Sequence, residues 1–192
     1  MRTLLRIAHR IDQTNEWIGR AVYWLTLVMV GVGAYNALVR YLDRFTGLGL
    51  SSNTYIELQW YMYSLIFLLG AAYTLKHNAH VRVDVLFMRL TPRGRAWVNL
   101  GGALLFLLPF CILVIWTSWP TVHNSWAVLE VSPDPGGLPR YPIKTVIPIA
   151  FILLFLQGVS LAIKQIAFLR DPAAEDIPGH AQSDSGKAKG GI

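Results

Sequence analysis

Four apolar stretches, each about as long as a bilayer is thick, leave this chain little choice of fold. They run roughly over residues 17–39, 56–75, 97–119 and 143–168, each bounded by charge, proline or glycine. A hydrocarbon core of about 30 Å is crossed by ~20 apolar residues in α-helix, because no water is present there to bond backbone groups left unpaired. Trp or Tyr stands near at least one end of each stretch or in a flanking loop, as Trp17, Tyr41, Trp60, Trp97, Trp119 and Tyr141 show. Amphipathic rings favour that interfacial depth. Composition agrees: 54% of the residues are hydrophobic and 15% charged, whereas a soluble domain averages ~25% charged. The sequence predicts an all-α membrane protein with four transmembrane helices.

Orientation follows from the basic residues. Thirteen Lys and Arg fall in the N-terminal segment, the loop between spans two and three, and the C-terminal segment; only Arg40, Arg44, Arg140 and Lys144 fall in the other two loops. The positive-inside rule then places both termini and the middle loop in the cytoplasm, so the net charge of +6 is mostly topology and calls for no nucleic acid. The first stretch is too long for a signal-peptide core and no small-residue cleavage site follows it, so it is read as a retained helix. In the middle loop, His80–Leu90 alternates basic and apolar residues, the pattern of a short amphipathic helix lying in the cytoplasmic interface. Lys76, Arg82, Arg89, Arg93 and Arg95 are the candidate phospholipid anchors. Residues 1–170 read as one four-helix membrane domain. Residues 171–192, rich in Pro, Ala, Gly, Ser, Asp and Lys, read as a disordered cytoplasmic tail.

Local signals mark two helix starts. Thr54 followed by Glu57 matches a capping box, and Thr91-Pro92 supplies an N-cap and an N1 proline. Small residues at Gly33, Ala37, Gly70–Ala72, Gly101, Gly102, Gly158 and Ala162 mark surfaces where helices can approach closely.

The sequence carries little that could do chemistry. The single cysteine, Cys111, lies in an apolar run and allows no disulfide framework or thiolate metal site within the chain. The five histidines fall on opposite sides of the predicted bilayer or in the terminal segments, so no haem pair is formed. His77 and His80 lack the carboxylates of a typical metal site. Neither a phosphate loop nor a hydrolase or metalloprotease motif is present. The polar residues within the spans are Asn36, Gln59, Ser64, Asn99 and Gln157, mostly toward span ends. A solute or ion site at the midplane needs a convergent polar set. Neither catalysis nor a cofactor is expected.

The most particular segment joins spans three and four: Glu130–Lys144, EVSPDPGGLPRYPIK. Its prolines restrict it and Gly136-Gly137 supplies a turn, so it reads as a shaped loop, either a plain connector or a docking surface.

With this loop, Glu57 leading into Phe67–Leu86 (FLLGAAYTLKHNAHVRVDVL), and Pro148, Phe151 and Leu156-Gln157-Gly158, the chain resembles the small, DctQ-like membrane subunit of tripartite ATP-independent periplasmic (TRAP) transporters. The resemblance implies a scaffold or stator in the bacterial inner membrane, associated with a large DctM-like permease subunit. A periplasmic solute-binding protein would deliver an organic acid for uptake driven by a sodium gradient. Candidate contacts with these partners are Arg40, Glu57, Glu130, Asp134, Gly136, Gly137, Arg140 and Gln157, with Arg40 and Glu57 also an expected ion pair. Two readings from other classes are a membrane anchor for a redox complex, which predicts haem or quinone binding, and an autonomous small transporter, which predicts flux by this chain alone.

Overall fold

The computed structural model describes residues 2–47, 52–79 and 90–170. Four helices long and apolar enough to cross a membrane occupy almost all of them: α1 (Arg2–Thr46), α2 (Asn53–Lys76), α3 (Pro92–Ala127) and α4 (Arg140–Arg170). The four-helix expectation holds, but α1 and α3 run well beyond the predicted spans. In particular, α1 continues without a break through the polar segment before Trp17, giving it 45 residues. The predicted interfacial helix lies almost wholly, and the predicted tail entirely, outside the described residues.

The start of α3 follows the sequence reading: Thr91 accepts a hydrogen bond from the Gly94 N–H, with Pro92 in the first turn. The start of α2 does not. Ser52, rather than Thr54, is the N-cap, accepting from the Thr54 N–H at 3.2 Å. Glu57, released from a capping-box role, points toward the α3–α4 loop.

Within α3, residues Ala103–Leu107 form a π-helical turn, with the Leu108 N–H bonded to the Ala103 carbonyl. The cause is next in sequence: Pro109 has no N–H to offer, and its ring would strike the carbonyl four residues back in a regular α-helix. The widened turn presses Leu107 and Leu108 toward α4 at Gly158, where a Cβ would lie 2.9 Å from Leu107 Cδ2. Gly158 therefore serves close helix approach as expected. Gly101 and Gly102 do not, since nothing lies within 4 Å of a Cβ built on either.

The helix α4 is the hub. It packs against α1, α2 and α3, while α1 and α2 also pack on each other. The buried apolar residues are mostly small, including Ala8, Ala72, Ala96, Ala103, Ala150 and Ala162, and Cys111 is fully buried. Small side chains let helix backbones approach where lipid gives no hydrophobic drive to association. Large apolar groups face outward instead; Tyr23, Phe106 and Trp116 are each at least 75% exposed. Trp17, Trp97 and Trp119 are also exposed, as interfacial rings should be.

Candidate functional site

The polar side chains that the fold buries gather at its two ends. One end, the loop end, holds the start of α2 and the α3–α4 loop. The other, the terminal end, holds the first turns of α1 and the last of α2 and α4. Glu57 at the loop end and Lys76 at the terminal end are nineteen residues apart on α2, a rise of about 28 Å. That is close to the ~30 Å of a hydrocarbon core. Arg20 and Arg40 on α1, and Lys144 and Lys164 on α4, are each twenty residues apart with no Asp, Glu, Lys or Arg between them.

At the loop end, the α3–α4 connection is a folded element. Asp134-Pro135-Gly136-Gly137 makes a tight turn closed by Gly137 N–H to Asp134 O at 2.9 Å, with Gly136 at φ 73. Proline at the second position and a positive-φ glycine at the third are what a type II turn requires. A Cβ on Gly137 would sit 2.4 Å from the Ser132 Cβ, so this position too admits only glycine. A bridge between Val131 and Pro139 pairs the two arms, supported by Ser132 N–H to Leu138 O at 3.1 Å.

Helix α2 grips this element at several points. Glu57, almost fully buried, accepts from the Ser132 hydroxyl through Oε1 and from the Leu138 N–H through Oε2. Arg140 Nη2 donates to the same Ser132 oxygen at 3.2 Å. Thr54 donates to Gly136 O at 2.7 Å, and the Tyr61 hydroxyl to Pro139 O at 3.1 Å. Beside them, Glu130 accepts from Lys144 and, at 2.7 Å, from the Ser125 hydroxyl. The Lys144 ammonium, then the Ser125 hydroxyl, holds the Glu130 carboxyl below its usual range.

Glu57, Glu130, Gly136, Gly137 and Arg140, singled out in the sequence, thus come together, with Asp134 exposed on the turn they support. One expectation fails here. Arg40 is exposed on α1 and makes no ion pair with Glu57, whose oxygens are taken by Ser132 and Leu138; the cation beside Glu57 is Arg140. Gln157 lies apart from this group, buried at the terminal end.

The terminal-end layer is where sequence reasoning missed most. Asp12, Asn15, Gln157, Ser160 and Gln165 are all buried. Gln157 Oε1 accepts from Asn15 Nδ2 at 2.6 Å, while its Nε2 donates to Asp12 at 3.0 Å. Asp12 also accepts from Ser160 at 2.8 Å and from the Lys164 ammonium. One helical turn on, Glu16 ties α1 to α2 by accepting from Lys76 at 2.6 Å and contacting the His77 ring at 2.8 Å. Lys76, a candidate lipid anchor, therefore has an intramolecular partner. Arg93 is exposed, Arg95 bonds the Leu90 carbonyl, and Arg82 and Arg89 lie outside the described residues.

A signal for this layer was present. Ala8, Asp12 and Asn15 share one face of α1, and Gln157, Ser160 and Lys164 one face of α4, because residues three and four apart are helical neighbours.

Neither a search of curated proteins nor one of solved structures returned a match. The family model described as "Tripartite ATP-independent periplasmic transporters, DctQ component" matches residues 29–168, which take in the second part of α1, all of α2 and α3 and nearly all of α4, and the chain belongs to that family as a TRAP transporter small membrane subunit.

Proposed function

We propose that this chain is the membrane-fixed scaffold of a TRAP transporter that takes up an organic acid by sodium symport, the acid being delivered by a periplasmic binding protein. A large permease subunit carries the solute and ion sites. The observation that supports this most directly is the gathering of the buried polar groups into two layers, one at each end of the bundle. Between them α1, α2 and α4 meet mainly through small side chains, and the polar groups among the described residues form no convergent midplane set of the kind solute coordination requires. The outward-facing aromatic and aliphatic surfaces suit lipid and a large membrane partner.

On this reading the terminal end, rich in Lys and Arg, faces the cytoplasm of a bacterial inner membrane, and the loop end faces the periplasm. The clamped turn at Asp134–Gly137 then projects where a binding protein arrives. Because Glu57, Thr54 and Tyr61 hold it to α2, it meets a partner already shaped, which lowers the ordering cost of docking.

The test is reconstitution. The chain alone in liposomes should move no organic acid under a sodium gradient, whereas addition of its large subunit and binding protein should give saturable uptake. Sodium-driven uptake by the small chain alone would overturn the scaffold reading.

A further inference from the structure

At the terminal end, α1 and α2 enclose a groove of about 700 Å³ whose walls include Val22, Tyr23 and Thr26 from α1 and Phe67, Gly70 and Thr74 from α2. Its origin is local. At Gly19 the helices close tightly, since a Cβ there would lie 2.1 Å from Tyr73 Cδ2; at Gly70 they part, since a Cβ would meet only Val22 Cγ1, at 4.0 Å. Arg20 stands at the polar mouth with its side chain 75% exposed and Nε 3.3 Å from Glu16. It also lines a second cavity of about 290 Å³ with His9, Asp12, Gln13, Glu16, Trp17 and Lys76. Glu16 has Lys76 and His77 as further partners, so Arg20 is free to turn toward a ligand without stranding that carboxylate.

The groove is bounded by Gly19 and Thr26 on α1 and by Ile66 and Thr74 on α2, an axial extent of about 12 Å. One leaflet of hydrocarbon is ~15 Å deep. A partner helix would lie along the whole span, whereas this groove begins at an interfacial cation and ends within its own leaflet.

We propose that it is a phospholipid site, with one acyl chain between α1 and α2 and the lipid phosphate on Arg20. The guanidinium fork matches two phosphate oxygens, and the second cavity beyond Arg20 gives the headgroup room. The site requires only that the terminal end lie at a membrane interface, on either side, and so stands apart from the transport assignment. Its α1 wall precedes residue 29, where the family match begins.

The test uses the full chain in detergent, dioleoyl phosphatidylglycerol as the probe, and dioleoylglycerol, which has the same chains without phosphate, as its control. Bound lipid is counted by native mass spectrometry. The wild type should retain one phosphatidylglycerol that dioleoylglycerol does not displace. Arg20→Ala should weaken that retention at least tenfold, and Arg20→Lys less. Gly70→Leu, whose Cβ meets only Val22 Cγ1 at 4.0 Å and whose side chain enters the groove, should abolish it while far-ultraviolet circular dichroism stays unchanged. Arg20→Ala is a surface change and carries the test alone if Gly70→Leu does not fold. Wild-type retention in Arg20→Ala overturns the proposal. So does a Gly70→Leu chain that keeps its lipid but no longer co-purifies with a large subunit, because the groove would then seat protein.

Discussion

Replacing Asp12 with alanine removes the acceptor on which α4 converges at the terminal end. Three donors lose a partner: Gln157 Nε2, Ser160 Oγ and Lys164 Nζ. They are not equally stranded. Ser160 has a second acceptor in the Ala8 carbonyl at 3.3 Å, and Gln157 keeps Asn15 on its Oε1. Lys164 is the main casualty. Breaking a buried ion pair from one side costs about 3–5 kcal/mol, but the Lys164 side chain is 14% exposed and can extend its stem toward the interface. The expected loss for Asp12→Ala is therefore ~2–4 kcal/mol. Asp12→Asn keeps an acceptor for Gln157 or Ser160 and should lose only ~1–2 kcal/mol. Unfolding of the purified chain in mixed micelles, titrated with dodecyl sulfate and followed by tryptophan fluorescence, measures these values. Trypsin cleavage after Arg6 and Arg10 should accelerate, because the first turns of α1 would no longer be held to α4. Combined with Lys164→Met, the loss should fall short of additivity by ~1–3 kcal/mol. An additive cycle, or Asp12→Ala within about 0.5 kcal/mol of wild type, would refute the ion pair as the anchor of the α1 arm.

Other consequences are testable in the same preparations. Glu57→Ala should leave four inserted spans but release the 134–137 turn from α2, lowering uptake by the complete transporter at limiting binding protein; unchanged uptake would remove this loop from docking. Glu130, held below its usual range by Lys144 and Ser125, stabilises the fold fully above the ordinary Glu value of about 4.3, and loses that contribution as pH falls through its lowered folded value. Thermal unfolding of Glu130→Gln should therefore lie below wild type near neutrality and converge with it in acid; a gap that stays constant with pH would rule this out. Gly158→Val brings a branched side chain against Leu107 and Leu108 and should destabilise by ~1–3 kcal/mol, with Leu107→Ala restoring part of the loss.

The spans were legible because bilayer thickness imposes a length that no tertiary contact can change. The α3–α4 loop was legible because Pro135, Gly136 and Gly137 encode a turn locally. What escaped was pairing over distance. Thr54 and Glu57 have the spacing of a capping box, but the partners of Glu57 lie 75 and 81 residues away, and their two hydrogen bonds outcompete the single one offered by the helix start. Asp12 and Asn15 escaped because a polar residue at a span edge looks the same in sequence whether it meets water or another helix. Arg40 and Arg140 posed the same problem for Glu57. Both are cations expected at the loop end, and only the path of the α3–α4 loop places one of them beside it.

These long-range bonds bear on how a membrane subunit of this size is held together. Apolar faces alone cannot fix one helix against another in lipid, because lipid solvates them equally well. Hydrogen bonds between helices can fix register, and here the buried ones lie at both ends of the bundle. The α4 helix takes part in both layers, through Arg140 and Lys144 at one end and Gln157, Ser160 and Lys164 at the other. Sliding α4 by one residue, about 1.5 Å, would misalign both layers at once. The middle of each helix is thereby freed from specifying register and can present smooth apolar surface outward. On the proposed scaffold reading, a subunit pinned at two depths and greasy between them keeps its shape while a partner moves against its outer face.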